Sequence, residues 1–244
     1  MSYGVGTHGQ GQSVIRQALR AVHGICKAYQ DRLARRRRDF PGRQLQEILA
    51  QCRHLGIPPG LRLDIGAGDG RYRSLLVETG GPVIEMDRFG GSQVDVMADA
   101  HRIPVQDNTA GLILLAEVLE HLEEPAIAIG ECFRVLRPGG LLAITTPQYW
   151  HVHGHPSDYY RFTDLGLRYL CANAGFSVIH CWSRGGPALI IFHAIRCNLS
   201  ERWQPLFVIP LYALADWIDS RTYNRQPSGK HYEALGWSMI ARRP

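Results

Sequence analysis

The chain has 244 residues, of which 45% are hydrophobic and 20% are charged. This composition excludes a disordered chain and is typical of one globular domain with additions. The net charge of +5 is unevenly spread: residues 1–56 hold 10 Lys and Arg against 3 Asp and Glu, and the remaining residues hold 17 against 19. The basicity therefore belongs to the N-terminal segment, which argues against a nucleic-acid-binding body.

The cysteines and the apolar runs indicate in which cellular compartment the protein is expected. No two of the six cysteines form a Cys-x-x-Cys pair, and no signal-peptide order is visible, so we expect reduced thiols in a cytoplasmic protein. The longest apolar runs, near residues 188–195 and 206–214, are well short of the roughly 18 residues that a membrane span requires. No transmembrane helix is predicted.

The N-terminal part is predicted to be a tail followed by two amphipathic helices. Residues 1–12 are rich in Gly and Gln and are expected to be disordered. From Ser13, apolar residues recur at spacings of three and four, which predicts a helix that runs into Arg35–Arg38 and ends at a Phe40-Pro41-Gly42 break. A second short helix follows over residues 45–55, so residues 13–56 form a helical segment.

Residues 57–244 are predicted to form the main domain, in which short apolar runs alternate with helical stretches. The predicted strands are 61–65, 82–86, 94–97, 112–115, 141–145, 176–180 and 237–240, and the helices include 71–78, 125–136 and 164–174. This alternation predicts an α/β fold, a doubly wound seven-stranded mostly parallel sheet. Residues 182–236 are an aromatic-rich insertion, or cap, before the last strand, and Thr163 and Gly175 are expected to bound the helix at 164–174.

A glycine-rich turn follows the first predicted strand, in the sequence LDIGAGDGRY at residues 63–72. Glycines there allow a ligand to approach the backbone at a helix N-terminus. The dinucleotide fingerprint GxGxxG requires a third Gly where this chain has Arg71, and Asp64 precedes the first Gly by two residues. The pattern favours a site for a cationic amine and a ribose over a site for a pyrophosphate.

Four acids lie at the carboxyl ends of predicted parallel strands, at the edge where open α/β sheets bind ligands. They are Asp64, Asp87, Asp99 and Glu117. Asp87 is placed to accept hydrogen bonds from a ribose diol, and Asp99 from an exocyclic amine such as that of adenine.

Residues 61 to about 180 resemble the class I S-adenosylmethionine-dependent methyltransferases, particularly the methyltransferase type 11 family. The resemblance rests on LDIGAGDGRY, VIEMDR, ADAHRIPVQDN, AEVLEHL and RVLRPGGLLAITTP. It implies a Rossmann-like methyltransferase fold and S-adenosyl-L-methionine as cofactor. It implies cofactor contacts from Asp64, Gly66, Ala67 and Gly68 (methionine part), Asp87 (ribose), Asp99 and Ala100 (adenine), Glu117 (near the methyl group) and Arg88.

The sequence departs from the family pattern at the fourth strand. Family members usually begin this strand with an aromatic residue and Asp, where this chain has Ala110 and Gly111. Without that Asp the sheet edge near the cofactor is expected to lose one acid, which favours a non-catalytic relative or scaffold of the same fold. A nucleotide-dependent oxidoreductase is a further alternative, which Arg71 argues against.

The acceptor is expected to meet residues 148–163, which follow the fifth strand. Methyl transfer is an in-line displacement, and a hydroxyl acceptor must also lose its proton. His155, then His153, is the candidate base, with Asp158 orienting it, and Tyr159, Tyr160 and Arg161 are candidate substrate-binding residues. In the alternative interpretation, the histidines are ordinary loop residues and Asp158 pairs with Arg161 to fix the following helix.

Two further interpretations concern histidines, three in this loop and one at position 121. His151, His153 and His155 would share one face of an extended strand and could converge on a metal, but Gly154 and Pro156 argue against such a strand. No metal site is predicted. His121 is interpreted as a packed or helix-capping residue.

The sequence thus predicts O-methylation of a small-molecule or glycan acceptor, with nucleic acid not expected. The basic N-terminal helix either covers the cofactor as a lid or contacts an anionic membrane surface. The insertion either joins the core or caps the acceptor pocket, where it would suit an amphiphilic substrate. Neither the acceptor atom nor the oligomeric state is predicted.

Overall fold

The computed structural model describes residues 40–91, 93–154, 157–199, 204–222 and 233–244. The predicted tail, the first basic helix with its arginine run, and His155 lie outside these ranges. The lid and membrane interpretations of that helix therefore stay predictions.

Seven strands form one sheet in the order β3-β2-β1-β4-β5-β7-β6. Their bounds are β1 Leu61–Ile65, β2 Val83–Asp87, β3 Val96–Met97, β4 Ala110–Ala116, β5 Leu136–Pro147, β6 Ser177–Arg184 and β7 Gly236–Arg242. Strand β7 runs antiparallel to β5 and to β6, and the other paired strands are parallel. The predicted seven-stranded, mostly parallel sheet is confirmed.

Helices cover both faces of the sheet. They are α1 Phe40–Leu55, α2 Arg73–Val77, α3 Pro125–Val135, α4 Asp164–Asn173, α5 Pro187–Asn198 and α6 Gln204–Thr222, with a 3-10 turn at Leu119–His121. One apolar cluster joins α1 and α2 to one face, where Leu49 and Leu76 pack with Leu114. A larger cluster on the other face includes Ile129 of α3 and Leu167 of α4. The sheet lies between these two helical layers. Because β1, β2 and β4 run parallel, their carboxyl ends lie along one edge of the sheet.

Helix α1 contains Phe40, Pro41 and Gly42, so it starts earlier than the predicted 45–55. Proline fits the first turn of a helix, since the N–H groups there have no intrahelical acceptor. The predicted end of the preceding helix lies outside the described residues.

The end of the sheet beyond β5 also differs from the prediction. Strand β5 already begins at Leu136, which pairs with Ala110, and Gly139 takes a φ of +79° within an irregular stretch of the strand. Strand β6 continues to Arg184, so the predicted insertion begins later and consists largely of α5 and α6. By contrast, the predicted cap is confirmed, because Thr163 Oγ1 accepts a hydrogen bond of 3.1 Å from the Gly166 N–H.

Helices α5 and α6 are fastened to each other and to α1. The buried carboxylate of Asp219 in α6 accepts hydrogen bonds from the N–H groups of Gly186, Ala188 and Leu189, at 2.7, 3.1 and 2.9 Å, and so caps the start of α5. Arg43 of α1 donates to Asp216 of α6. Across the part of the chain that the structure describes, none of the helices combines the length and apolarity that crossing a bilayer demands.

The departure at Gly111 has a packing cause. Gly111 lies at the amino end of β4, beside Leu61 at the start of β1, whereas the predicted ligand edge is at the other end of the sheet. A Cβ at Gly111 would lie 2.1 Å from the Pro58 carbonyl oxygen and 2.6 Å from the Arg62 guanidinium. The inference that the missing Asp removes an acid from the cofactor edge is therefore wrong, because position 111 is at the opposite end.

Candidate active site

The turn after β1 has the backbone geometry that its glycines allow. Gly66, Gly68 and Gly70 have φ angles of +76°, +57° and +68°, in the left-handed region that favours glycine. A Cβ at Gly66 would lie 2.5 Å from Val118, whereas a Cβ at Gly68 would meet nothing within 4 Å. Gly66 is thus required by packing, and Gly68 leaves open space for a ligand.

Asp87, at the end of β2, holds this turn in place. Its Oδ2 accepts a hydrogen bond of 3.0 Å from the Gly68 N–H, and its Oδ1 accepts one of 2.9 Å from the Phe89 N–H. Each carboxylate oxygen can accept a second bond. Asp87 can therefore shape the turn and still accept from a ribose hydroxyl.

Asp64 is buried beneath the turn, with 1% of its surface exposed. Its Oδ2 has no hydrogen-bond partner. Burial, followed by the nearby carboxyl groups of Glu85 and Asp87, raises the pKa of Asp64 to about 7. A buried carboxyl oxygen without a partner is costly, and a cationic group brought to this edge would stabilise its ionised form.

A cleft of about 200 Å³ opens beside the turn at the carboxyl edge of the sheet. From the predicted cofactor set it is lined by Gly66, Asp87, Arg88, Asp99, Ala100 and Glu117. From the other side it is lined by residues that include His121, Glu123, Ser157 and Tyr159. One cleft therefore joins six of the nine predicted cofactor residues to the loop predicted to meet the acceptor, whereas Asp64, Ala67 and Gly68 do not line it.

Asp99 is held in place by His101, and the sequence analysis does not predict this contact. Its Oδ1 accepts a hydrogen bond of 2.9 Å from the His101 N–H and lies 2.6 Å from His101 Nδ1. Arg88 Nε lies 3.6 Å from its other oxygen. The hydrogen bond from the His101 backbone is the largest cause that lowers the pKa of Asp99, so this carboxylate is ionised and can accept from an amine.

Glu117 directly follows the end of β4 and lines the cleft. It has a φ of +57°, which is uncommon for a residue with a side chain and often marks a functional site. Its Oε1 lies 2.5 Å from the buried guanidinium of Arg184 at the end of β6. Arg184 has no signal in the sequence, since it meets Glu117 only when β6 is added at the far end of the sheet.

Glu120 is a buried acid next to Glu117. Its Oε2 accepts a hydrogen bond of 3.3 Å from Thr146, and its Oε1 has no hydrogen-bond partner. Burial, followed by the charge of Glu117, raises the pKa of Glu120 to about 8. A proton-binding group therefore lies beneath the cleft.

His121 lines the cleft with one ring nitrogen fixed. Its Nδ1 lies 2.7 Å from the Ser157 carbonyl oxygen. Because a carbonyl oxygen only accepts, Nδ1 carries the hydrogen and Nε2 is the basic atom of the neutral ring. Nε2 lies 3.9 Å from Glu120 Oε1. His121 is packed, as expected, and its Nε2 is the nitrogen left to accept a hydrogen bond or a proton.

Asp158 and Arg161 form an ion pair inside the loop that follows β5. The guanidinium donates to both carboxylate oxygens, at 2.5 and 2.6 Å, and to the carbonyl oxygens of Trp150, His151 and Tyr160. All five N–H donors of Arg161 are therefore used within the loop. The geometry favours the local ion-pair interpretation over an anion clamp.

The other predicted residues of this loop are placed as follows. His153 Nδ1 lies 3.2 Å from Asp158 Oδ2 but makes no hydrogen bond, whereas the His153 backbone N–H donates to that oxygen at 2.8 Å, and the ring centre of His153 lies 5.0 Å from that of His121. Tyr159 lines the cleft and donates to Glu123 Oε1 at 2.8 Å, and Tyr160 donates to the Glu123 carbonyl oxygen at 2.9 Å. His153 and Tyr159 thus lie near the cleft, whereas His155 is outside the described residues.

These features fit S-adenosyl-L-methionine. The unpartnered oxygen of Asp64 suits its cationic amine, the open space at Gly68 suits a close approach to the backbone, and Asp87 and Asp99 have acceptor capacity for a ribose and an adenine. The residues present therefore match the polarity of each part of that cofactor.

Comparison with known proteins supports the same conclusion. A family profile described as "Methyltransferase domain" matches residues 63–144. A malonyl-[acyl-carrier protein] O-methyltransferase of Methylococcus capsulatus is 38% identical over 117 residues, which cover 41% of this chain and 42% of that protein. The chain spans about two fifths of the length of the curated relatives it matches.

Solved structures share the fold. A 1,6-didemethyltoxoflavin-N1-methyltransferase of Burkholderia thailandensis, solved with S-adenosylhomocysteine, has a TM-score of 0.53 at 16% identity and covers 100% of this chain and 92% of its own. The [4+2]-cyclase SpnF has a TM-score of 0.51 at 20% identity over 83% of this chain and 81% of its own. Residues 63–144 therefore match a methyltransferase domain, and the fold is that of solved methyltransferases.

Proposed function

We propose that this protein transfers the methyl group of S-adenosyl-L-methionine to an oxygen atom of a small-molecule or glycan acceptor, by in-line displacement. The observation that carries the proposal is the single cleft that Asp87, Asp99 and Glu117 line from one side and His121 and Tyr159 from the other. The cofactor supplies an electrophilic methyl group on a sulfonium. The protein then has to align the acceptor, exclude water and, for a hydroxyl acceptor, accept a proton.

The carboxylates bind the donor in this proposal. Asp87 accepts from the ribose, Asp99 accepts from the adenine amine, and Asp64 stabilises the amine of the methionine part. Asp87 also holds the Gly68 N–H, so the turn is preorganised before the ligand arrives. The Glu117–Arg184 ion pair fixes the cleft near the methyl end.

His121 is the base that the geometry favours for a hydroxyl acceptor. Its hydrogen is held on Nδ1 by the Ser157 carbonyl oxygen, so Nε2 is the atom that takes the proton. Glu120 Oε1 lies 3.9 Å from Nε2. When the Glu120 carboxyl group is ionised, its charge stabilises the imidazolium. His153 with Asp158, and His155, remain the alternatives that the sequence predicts.

The acceptor oxygen can belong to a carboxylate or to a hydroxyl group, and these two groups differ in their need for a base. The malonyl-[acyl-carrier protein] O-methyltransferase is named for a substrate with a carboxylate, which is already ionised and needs no base. A hydroxyl acceptor has to lose a proton. The dependence of turnover on His121 therefore separates a hydroxyl acceptor from a carboxylate.

A second candidate is a cofactor-binding protein without methyl transfer, because a cyclase shares the fold. Tritium-labelled methyl donor, incubated with the protein and panels of hydroxylated small molecules, glycans and malonyl thioesters, tests the proposal. We expect labelled product from one acceptor class, with loss of turnover in His121→Ala for a hydroxyl and not in the matched His180→Ala. Donor binding with no labelled product from any panel would favour the second candidate.

A further inference from the structure

Three potential metal ligands meet outside the cleft, where the loop after β5 contacts α5. His151 lies in that loop, and His193 and Cys197 lie four residues apart on α5. Residues at this spacing share one face of a helix, so both side chains of α5 reach the same point. The loop histidine completes the group from the other side.

The distances between these atoms match the edges of a coordination tetrahedron. His151 Nδ1 lies 3.1 Å from His193 Nε2, and Cys197 Sγ lies 3.6 Å from the first nitrogen and 3.5 Å from the second. Zinc bonds of about 2.0–2.1 Å to nitrogen and about 2.3 Å to sulfur give tetrahedral edges of about 3.3 Å between nitrogens and about 3.6 Å between nitrogen and sulfur. We propose that His151, His193 and Cys197 bind a zinc ion.

The chemistry of the ligands supports zinc over magnesium or calcium. Two imidazoles and a thiolate are the ligand types that zinc prefers, whereas magnesium and calcium require oxygen.

The surroundings hold two of the ligands in place. The Trp150 indole stacks on the His193 ring, with centres 3.9 Å apart and planes inclined by 18°. The Arg161 guanidinium donates at 3.0 Å to the His151 carbonyl oxygen, which fixes the backbone of the loop histidine. Such supporting contacts orient ligands and reduce the entropy lost on metal binding.

The ion would fasten the loop after β5 to α5. The same loop carries Ser157 and Tyr159, which line the cleft, so the metal would stabilise the acceptor side of that cleft. Three protein ligands among the described residues leave a fourth position for water or another group. The proposal does not depend on methyl transfer.

The test uses the full chain without a histidine tag. Metal content is measured by mass spectrometry after purification, and the apoprotein is titrated with Co²⁺. We expect about one zinc per chain, and a thiolate-to-cobalt charge-transfer band together with the intense visible bands of tetrahedral cobalt. Cys197→Ser should abolish the charge-transfer band and lower zinc affinity at least tenfold, whereas the matched His180→Ala, at an exposed histidine of β6, should change neither.

Several outcomes would overturn the proposal. One is a protein that purifies without zinc and gives no charge-transfer band with cobalt. Another is metal retained in Cys197→Ser and lost in His121→Ala, which would place the ion at the Glu120, His121 and His153 group instead. Since Cys197 is exposed, Cys197→Ser is expected to fold, and circular dichroism checks this.

Discussion

The ring Nδ1 of His121 lies 2.7 Å from the carbonyl oxygen of Ser157. This hydrogen bond joins the turn after β4 to the loop after β5, which lies on the acceptor side of the cleft in the proposed function. It fixes the tautomer of the histidine and closes one wall of the cleft. The carboxylates that bind the donor in the proposed function form the opposite wall.

His121→Ala is expected to lower kcat for a hydroxyl acceptor by about 10²–10⁴-fold, because it removes the group that takes the proton. The dissociation constant for the cofactor should stay within twofold, since the carboxylates on the opposite wall are intact. Steady-state kinetics and calorimetry measure the two quantities. Unchanged turnover of a hydroxyl acceptor in this variant would exclude His121 as the base.

Gly154→Ala is expected to destabilise the protein by about 1–3 kcal/mol, because Gly154 has a φ of +89° and a Cβ there would lie 2.6 Å from His121 Cε1. The free energy of unfolding in urea measures the loss, and kcat should fall as the ring is displaced. Gly130→Ala is the matched control. Gly130 lies in α3, where a Cβ would meet nothing within 4 Å, so alanine there should stabilise the protein by about 0.5–1 kcal/mol. Equal effects at the two sites would contradict the packing argument.

Asp158→Ala is expected to cost about 3 kcal/mol of unfolding free energy, since it leaves the Arg161 guanidinium without its carboxylate in a largely buried site. The hydrogen bonds from Arg161 hold the pKa of Asp158 well below its usual range. The stability from the pair is therefore present above the unfolded pKa of about 3.9 and is lost as the pH falls toward the lower folded value. Urea titrations from pH 3 to 7 should show this slope in the wild type, and a flat response there would contradict it.

Asp64→Asn is expected to remove a pH dependence of cofactor binding. Burial raises the pKa of Asp64 to about 7, so without the cofactor this carboxyl group is protonated at pH 6 and largely ionised at pH 8. A cationic amine binds the ionised form, so the wild-type affinity should rise between pH 6 and pH 7.5, with release of a proton. Calorimetry in buffers of different ionisation enthalpy detects that proton. Proton release that is the same in Asp64→Asn would assign it elsewhere.

The raised pKa also affects stability in the absence of cofactor. The folded state holds a proton on Asp64 that the unfolded chain releases near pH 4, so the stability contributed by this group is present below pH 4 and is lost as the pH rises through about 7. The unfolding free energy of Asp64→Asn should therefore depend less on pH between 4 and 7 than that of the wild type. Parallel pH profiles for the two proteins would contradict the assignment.

The strands and the cofactor edge can be predicted because their signals are local. Continuous apolar runs mark buried parallel strands, and the glycines of the turn and Asp87 lie directly beside the elements that position them. The departure at β4 is misinterpreted because positions 110 and 111 precede the predicted strand at 112–115, and so belong to its amino end and not to the carboxyl end where a ligand is expected. The start of α1 is misinterpreted because proline marks both helix ends and helix first turns.

The pairings that join distant parts of the chain cannot be predicted from local patterns. His151 meets His193 across 42 residues, and Glu117 meets Arg184 only because β6 and β7 extend the sheet beyond β5. Nothing in the local pattern of α5 distinguishes His193 and Cys197 from ordinary helix residues. Such contacts arise from topology, so the structure is needed to find them.

Binding of S-adenosyl-L-methionine, S-adenosylhomocysteine and NAD, measured by calorimetry on the same protein, tests the central claim most directly. We expect both sulfur ligands to bind at one site per chain and NAD not to bind. Asp87→Asn should weaken both at least tenfold, while the matched Glu78→Gln, at an exposed acid at the end of α2, should leave both unchanged. Binding of NAD with no binding of either sulfur ligand would contradict the account.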